Sequence, residues 1–566
     1  MVYGKRHLIT AFFLVLVVAV FLIVGLDFLN KARDPAFEDT GSYLEGALFI
    51  KENGGVSGFL PMCLTGKFRI AEQHPLPLLL LSTFASRDLS FFTEAKLLSL
   101  FIGLLFVVVL FFVTKNLFGQ SVAFLSSFLM IFNIAFLVRS SNVTVEPLLM
   151  LFLLLSWFFM VKGLDSNRLW ILAGISTGLA YMTKGPAISM IPVFVISNLI
   201  IFRLRILKNL YFWLFLLFFL LSASPLILRN VIVYGSPFYE GINPHVFWLD
   251  SFGEFSKYLL SVNWSEHTYN TVSNMPTLHS YLQTHSFEEI VRRIVGGAIG
   301  EFRLLINGLN LLIIPKGRMY FSLILFFFFL VGLISEIRKK RTVYTVAVVL
   351  VFFIPFAWIY QVLPVVRYVT PIIPFMVIYS SLGVIETIRY LDSRLSRSSI
   401  RLLPKVPYVL MAVLVSFAGY YMATKEVSSL LHSANNIVLS DDQVELFNWL
   451  RENVGEEDFV LLGPTNHYWG YLWYAGFKGK LVPTSGNVLP LDEENMEVFS
   501  AFLKERNVNV IVLHRENYNN PAALKEFFEY HEDMGMVEKK PVKNWELIYS
   551  YSKRPTEFLI YRIKGY

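Results

Sequence analysis

The chain has 566 residues, of which 55% are hydrophobic and only 16% are charged. An ordinary soluble protein has about 25% charged residues, and the mean hydropathy of +0.55 is too high for a disordered chain or a set of soluble domains. The net charge of +7 does not indicate a nucleic-acid partner, because Lys and Arg collect in the cytoplasmic loops of membrane proteins. The single cysteine, Cys63, excludes an internal disulfide and a Cys-based metal site. The composition therefore predicts a polytopic membrane protein.

Apolar runs of membrane-spanning length recur along the first 425 residues, and they predict about eleven spans, with an upper bound of about thirteen. The first run follows Lys5 and Arg6 and is too long for the apolar core of a signal peptide, which predicts a retained helix. The runs cover residues 8–26, 97–113, 121–138, 147–163, 169–183, 187–202, 209–228, 319–335, 343–360, 369–387 and 407–423.

The distribution of positive charge predicts the orientation. With the N-terminus in the cytoplasm, the short inside segments hold seventeen Lys and Arg residues, whereas the short outside segments hold only Arg139, Lys184 and Arg367. This is the bias expected of a multi-pass protein of the cell membrane. Three long segments then lie outside: 28–96, 229–318 and 426–566.

The last of these segments has a different character, since charged residues are frequent and no spanning run occurs after Asn435. Ser440, followed by two aspartates, predicts the cap of an amphipathic helix over 444–450. Strands are predicted at 459–462 and 508–513, and a β pair at 545–551 and 557–563. We therefore predict a transmembrane domain over 1–425, with juxtamembrane helices, and an α/β extracytoplasmic domain over 426–566.

Ionisable groups at a membrane boundary are costly and so mark candidate functional residues. In the first outer segment, Asp39 is followed by Tyr43, Ala47 and Ile50 at helical spacing. This spacing places Asp39 at the start of a helix on the membrane surface. The alternative is that Asp39 is only the N-cap of that helix.

Two further candidates precede prolines. His74-Pro75 opens the apolar run 78–81, and Glu146 precedes Pro147 where a span begins. A glutamate in the first turn of a helix suits the helix dipole, and a histidine there is also typical of an interfacial loop, so a structural role stays open for both.

Two cations lie at the outer ends of other spans. Lys184, in Thr183-Lys184-Gly185-Pro186, is either a snorkelling lysine or part of a pocket at the helix break. Arg367 precedes Tyr368 and runs against the orientation bias. Carboxylates and cations at one depth suggest a reaction between a lipid-borne phosphate, which Arg and Lys suit, and an external hydroxyl.

At these positions the sequence resembles the GT-C class of polytopic glycosyltransferases, and within it the branch of protein O-mannosyltransferases and lipid A aminoarabinose transferases. The resemblance covers roughly residues 8–425. It is carried by five features in the family's order: Asp39 with Tyr43, His74-Pro75, Val145-Glu146-Pro147, Thr183-Lys184-Gly185-Pro186, and Arg367-Tyr368 with Pro371 and Pro374.

One feature departs from the family pattern. Many members have adjacent Asp-Glu in the first outer loop, whereas this chain has Glu38-Asp39. Either residue is therefore a candidate for the catalytic base, and Asp34 is a third. The spacing to Tyr43 favours Asp39.

The resemblance implies an inverting hexosyl or pentosyl transfer from a polyprenyl or dolichyl monophosphate to an acceptor hydroxyl on a protein, lipid or cell-surface glycan. It implies Asp39 as general base, with Glu38 and Glu146 as the other candidate catalytic carboxylates. Lys184 and Arg367 would bind the donor phosphate. The remaining candidate pocket residues are Tyr43, His74 and Tyr368.

No metal is required for a monophosphate donor, although Glu38, Asp39, Glu146 and His74 offer the oxygen and nitrogen ligands of a divalent site. Two other functions stay open. One is an oligosaccharyl transferase with a pyrophosphate-linked donor, although no W-W-D-like stretch occurs in 426–566. The other is a transporter or lipid flippase, which would usually show repeat symmetry and charged groups at mid-membrane depth.

Overall fold

The computed structural model of the protein describes residues 2–33, 35, 38–70, 73–240, 243–255, 276–314, 318–394, 405–424, 441–462, 472–476, 479–481, 495–514, 522–551 and 558–564. Up to residue 424, the described part of the chain is built from helices. Those of the first half are α1 Val2–Lys31, α2 Thr40–Glu52, α3 Gly55–Leu64, α4 Pro75–Ser82, α5 Ser90–Phe118, α6 Gln120–Ile131, α7 Ile134–Ser141, α8 Glu146–Lys162, α9 Leu169–Thr183, α10 Met190–Phe202 and α11 Leu210–Tyr234.

The helices that follow are α12 Asn243–Val246, α13 Leu278–Thr284, α14 Phe287–Gly308, α15 Arg318–Ser335, α16 Lys340–Ile359, α17 Ile373–Arg394 and α18 Val406–Thr424. Short 3-10 turns at Gly185–Ser189, Arg203–Lys208, Val366–Tyr368 and Thr370–Ile372 extend some of them. Every predicted apolar run falls on one or two of these helices.

Within the described residues, seven helical segments are long and apolar enough to cross a membrane, or eight if the bent pair α7 and α8 counts as one span. The other apolar helices are shorter, at 10–17 residues. The prediction of a polytopic helical membrane protein is confirmed.

One predicted run is not a single helix. Residues 121–138 are divided between α6 and α7, and the break falls at Asn133. The Asn133 side chain accepts a hydrogen bond from the Phe136 amide at 2.9 Å and donates one to the Gly308 carbonyl at 2.7 Å. Asn133 therefore caps α7 and ties it to the end of α14, which a continuous apolar run does not reveal.

The helices α15 and α17 approach each other closely through two glycines. A Cβ atom on Gly332 would lie 2.0 Å from the Tyr379 carbonyl oxygen, and one on Gly383 would lie 2.0 Å from the Phe328 carbonyl oxygen. Small residues at helix contacts are typical of membrane proteins, because close backbone approach provides packing energy in lipid.

Replacing Gly383 with Ala should therefore lower the free energy of unfolding by about 1–3 kcal/mol, because the methyl group forces two packed backbones apart. The matched control is Gly419→Ala in α18, since a Cβ there meets nothing within 4 Å. We expect the control to be neutral or slightly stabilising. Thermal unfolding of both variants in detergent measures the difference, and equal midpoints would contradict the packing argument.

The C-terminal region mixes helices and strands. Its elements are α19 Asp441–Asn453, β1 Phe459–Leu461, α20 Leu472–Ala475, β2 Lys480–Leu481, α21 Met496–Glu505, β3 Val510–His514, a 3-10 turn Ala522–Glu526, β4 Phe528–His531, β5 Gly535–Glu538, β6 Trp545–Ser550 and β7 Phe558–Ile563.

These strands form a five-stranded sheet of order β2-β1-β3-β7-β6 and a separate β4-β5 pair. The β1 strand is parallel to β2 and β3, whereas β7 is antiparallel to β3 and β6. The predicted helix and strands of this region are present in the structure. The predicted cap, Ser440, lies outside the described residues.

Candidate active site

The candidate site begins at the N-terminal end of α2, where Asp39 occupies the N-cap position. Its side chain makes no capping hydrogen bond. Its carboxylate instead accepts a hydrogen bond from Arg367 Nη1 at 2.8 Å, and the side chain is 46% exposed. The Asp39 side chain therefore does not cap α2, and its carboxylate faces a cation and solvent.

The neighbouring Glu38 has different surroundings. Its backbone φ is +49°, in the left-handed region that residues other than glycine seldom adopt. Its carboxylate forms an ion pair with Arg139 and lies 3.7 Å from Arg367 Nη1. Glu38 is thus held between two guanidinium groups. The third candidate, Asp34, lies outside the described residues.

A second ion pair joins Glu146 to Lys184. The Lys184 ammonium donates a hydrogen bond to Glu146 Oε1 at 2.7 Å, and the Glu146 side chain is only 3% exposed. Glu146 is the first residue of α8, with Pro147 in the first turn as predicted. Lys184 has an extended backbone between α9 and the 3-10 turn Gly185–Ser189. The helix break predicted at Gly185-Pro186 is what turns this lysine toward Glu146.

The ion pairs around Asp39 and the pair of Glu146 and Lys184 form one charged cluster. Glu146 lies within electrostatic range of both Arg139 and Arg367. The Thr40 hydroxyl at the start of α2 also donates a hydrogen bond to the Val143 carbonyl at 3.1 Å, which fixes α2 to the segment before α8. The structure therefore brings together the predicted residues Glu38, Asp39, Glu146, Lys184 and Arg367.

Arg139 completes this cluster, and the sequence analysis assigned it no role. It is one of three cations in the short outer segments, and the other two are Lys184 and Arg367. The three outer cations pair with the three carboxylates of the site. The same signal that singled out Arg367, a positive charge against the orientation bias, also applies to Arg139.

Tyr43 lies one helical turn after Asp39 and is buried. Burial, and then the negative charges of Asp39 and Glu146, raise the pKa of Tyr43 well above its ordinary value. Its hydroxyl therefore keeps its proton at neutral pH, within electrostatic range of both carboxylates.

A shallow apolar groove opens beside Tyr43. It lies between α4, α5 and the segment that leads into α8. The lining residues are Tyr43, Pro77, Leu80, Leu81, Leu98, Ser99, Ile102, Val143, Thr144, Val145 and Leu148. Leu80, at its edge, and Phe101, on the neighbouring surface of α5, are exposed. The groove thus extends from Tyr43 toward the apolar outer surface of these helices.

Tyr368 contacts the cluster through Arg367. The guanidinium of Arg367 lies 5.3 Å from the centre of the Tyr368 ring, and its Nη2 is 3.5 Å from the Tyr368 hydroxyl oxygen. The ring of Tyr368 stacks on Phe356 at 4.9 Å between ring centres. This packing limits the orientations that the Arg367 side chain can take.

His74 is buried at the start of α4 and does not contact the carboxylates. Its Nδ1 donates a hydrogen bond to the Tyr181 carbonyl at 2.5 Å. Burial, with the positive charges of Arg229 and Lys184, lowers the pKa of His74 to about 3. His74 is therefore a neutral residue that fixes the first outer segment to the end of α9.

This depressed pKa has a consequence for stability. Between pH 6.5 and about 3, the unfolded chain binds a proton at His74 that the folded protein does not, so stability falls as the pH falls. His74→Asn, which retains a side-chain donor, should remove this part of the acid sensitivity. One proton corresponds to a slope of about 1.4 kcal/mol per pH unit.

The measurement is the thermal midpoint of the protein in detergent between pH 4 and pH 8. His279→Asn is the control, because His279 is exposed. We expect a flatter profile only for His74→Asn. An unchanged profile in that variant would contradict the burial argument.

A metal site is not evident in the described part of the chain, where no three His, Cys, Asp or Glu side chains form a ligand group. Glu38, Asp39 and Glu146 each face a cationic side chain. Metal independence stays a prediction.

Comparisons with known proteins agree with the resemblance found in the motifs. Residues 81–228, about a quarter of the chain, match the family model described as dolichyl-phosphate-mannose-protein mannosyltransferase. Over most of its length the chain has the same fold as the solved structures of ArnT and of the oligosaccharyltransferase AglB. The resemblance stated from the motifs is confirmed, and so is the multi-pass membrane architecture.

Two solved structures show the likeness in particular. The ArnT structure from Cupriavidus metallidurans bound to undecaprenyl phosphate has a TM-score of 0.53 at 14% identity, over 97% of each chain. The oligosaccharyltransferase AglB from Archaeoglobus fulgidus, in complex with an inhibitory peptide and a dolichol-phosphate, has a TM-score of 0.50 at 13% identity. That match covers 94% of this chain and 75% of AglB. No curated protein matches the chain.

Proposed function

We propose that this protein is an inverting glycosyltransferase that moves a hexosyl or pentosyl group from a polyprenyl or dolichyl monophosphate to an acceptor hydroxyl. The observation that carries the proposal is the ion pair of Asp39 and Arg367, in which a half-exposed carboxylate and a cation share one site. A carboxylate suits the removal of a hydroxyl proton. A guanidinium suits the phosphate that leaves.

The reaction is a single displacement. The acceptor oxygen forms a bond to the anomeric carbon, the bond from that carbon to the phosphate oxygen breaks, and the hydroxyl proton passes to the Asp39 carboxylate. The leaving group is the lipid monophosphate, whose charge grows from one toward two. Attack from the face opposite the leaving group inverts the anomeric configuration.

Proton uptake and charge stabilisation are coupled in this arrangement. Arg367 is neutralised by Asp39 at 2.8 Å before the reaction. As Asp39 takes up the proton, Arg367 loses its counter-ion at the moment when negative charge develops on the phosphate. The same guanidinium therefore becomes free to stabilise the leaving group. In a site of low dielectric, this stabilisation lowers the activation free energy by roughly 3 kcal/mol.

The other charged groups support this pair. Glu38 holds Arg139 and approaches Arg367, so we assign it to positioning and assign the base to Asp39. Lys184 is one-fifth exposed while bound to Glu146. We assign Lys184 a second contact with the phosphate and assign Glu146 to the orientation of the lysine.

We assign the start of the lipid chain to the apolar groove beside Tyr43. It is lined mainly by aliphatic side chains and reaches the outer surface of α4 and α5. The ArnT and AglB structures were obtained with undecaprenyl phosphate and dolichol-phosphate respectively, which supports a lipid phosphate as the donor. The positive charges predict that this site faces away from the cytoplasm.

The test uses the purified full-length protein in lipid nanodiscs with a panel of polyprenyl-monophosphate sugars. Acceptors are a Ser/Thr peptide, a lipid glycan and a cell-surface polysaccharide, and the product is identified by mass spectrometry. We expect transfer from a monophosphate donor with inversion and without added metal.

Two other results would point to a different function. Transfer only from a pyrophosphate-linked donor, or only with a divalent metal, would support an oligosaccharyl transferase instead. Movement of the lipid between leaflets without any product would support a flippase. Either result would overturn the proposal.

A further inference from the structure

The four-residue helix α20 connects the C-terminal region to α2, the helix that begins directly after Asp39. Its Trp473 is fully buried in the core formed by the membrane helices, and Ala475 is buried in the core of the C-terminal sheet. Two residues of one short helix thus belong to two different cores. The α20 helix also packs directly against α2.

On the membrane side, Trp473 meets the first turn of α5. Its ring lies edge-on to Phe91, with 5.7 Å between ring centres and an interplanar angle of 82°. Both side chains have no exposed surface. Edge-to-face aromatic pairs of this kind stabilise an interface beyond the area that they bury.

Arg87 connects the same point to the C-terminal end of α2. Its Nη2 is 2.8 Å from Glu52 Oε1, and its Nη1 donates a hydrogen bond to the Trp473 carbonyl at 3.2 Å. Gly476 has a φ of +60°, and a Cβ atom there would lie 2.7 Å from Arg87 Nη1. The glycine both permits the backbone turn and leaves room for the guanidinium.

The other side of α20 is held by the C-terminal region itself. Arg451 in α19 donates hydrogen bonds to the Ala475 carbonyl at 3.0 Å and to the Tyr474 carbonyl at 2.6 Å. The link from α19 through α20 to α2 is therefore continuous. A movement of the C-terminal region would therefore also move the C-terminal end of α2.

We propose that Trp473 and Arg87 are positioning residues that set the orientation of α2 and so the position of the Asp39 carboxylate. The inference rests on the proposed role of Asp39 as base. The α2 helix has 13 residues and so is about 20 Å long, with Asp39 at one end and Glu52 at the other. A small tilt at Glu52 moves Asp39 away from Arg367, and a displacement of about 1 Å can cost about a hundredfold in rate.

The test measures amide hydrogen exchange of residues 40–52 in the full-length protein, together with kcat and KM for transfer. Trp473→Ala should speed exchange in this helix at least tenfold and lower kcat at least tenfold, while KM for the lipid donor changes little. Trp473→Phe should restore both, because it keeps a ring against Phe91. Arg87→Ala, at a partly exposed site, should act in the same direction with a smaller effect and without a general loss of folding.

The matched control is Trp449→Ala, since Trp449 packs against Tyr549 within the C-terminal region and makes none of the contacts described for Trp473. It should leave the exchange of α2 unchanged. Equal exchange of residues 40–52 in wild type, Trp473→Ala and Arg87→Ala would overturn the inference. The exchange readout does not depend on catalysis, so a wild-type protein without transferase activity would overturn the proposed function while exchange still decides the positioning role.

Discussion

Replacing Asp39 with Asn should lower the rate of sugar transfer by about 10²–10⁴-fold, the usual contribution of a general base. Asn has nearly the same shape and keeps an oxygen for Arg367, so the loss should come from proton transfer and not from misfolding. The measurement is kcat with a saturating lipid donor, together with donor binding to the same sample. Binding should be retained.

Two comparisons make this result specific. Asp88→Asn changes an exposed carboxylate of the same outer segment and should leave the rate unchanged. Glu38→Gln should reduce transfer less than Asp39→Asn, because Glu38 is bound to Arg139. A larger loss in Glu38→Gln would move the base to Glu38 and contradict the assignment.

The helices and their boundaries near the site were largely predictable from the sequence. Hydrocarbon length fixes the size of an apolar run, and Pro147 marks a helix start by local chemistry that needs no tertiary information. The break at Asn133 was missed because the hydropathy of 121–138 is continuous. Asn followed by an apolar segment was the available signal for a cap.

The pairing of charges was only partly predictable. Asp39 and Arg367 are 328 residues apart in the chain, and no local pattern joins them. The orientation bias predicted that both residues lie at the outer membrane boundary. The resemblance to the GT-C class implied that they share one site. Which carboxylate meets which cation depends on side-chain packing, which the sequence alone does not express.

Contacts between the C-terminal region and the first outer segment could not be predicted either, because they join residues that are far apart in the chain. Arg87 and Trp473 are separated by 386 residues. Nothing in the sequence around Trp473 distinguishes it from the other tryptophans of the region. Its role follows from its burial in the core of the membrane helices.

The buried ion pair of Glu146 and Lys184 should contribute strongly to the stability of the protein. Glu146→Gln should lower the free energy of unfolding by about 3–5 kcal/mol, because it leaves a mostly buried ammonium without its counter-ion. The double variant Glu146→Gln with Lys184→Met should recover most of that loss, since neither charge remains. Thermal unfolding in detergent measures both, and the double-mutant cycle gives the coupling energy.

The exposed pair of Lys162 and Asp165 is the control. Asp165→Asn should cost no more than about 1 kcal/mol, as is usual for a surface ion pair. A similar cost for Glu146→Gln would show that the buried pair is not coupled as its geometry indicates.

Activity of the double variant then separates two roles of Lys184. If the lysine only neutralises Glu146, the stable double variant should transfer sugar as fast as wild type. If it also contacts the donor phosphate, as proposed, stability returns while kcat stays about 10²–10³-fold lower, the cost of losing one preorganised group that stabilises developing charge. Full activity in a protein that carries neither charge would contradict the phosphate-binding role and leave Arg367 as the cation that meets the leaving group.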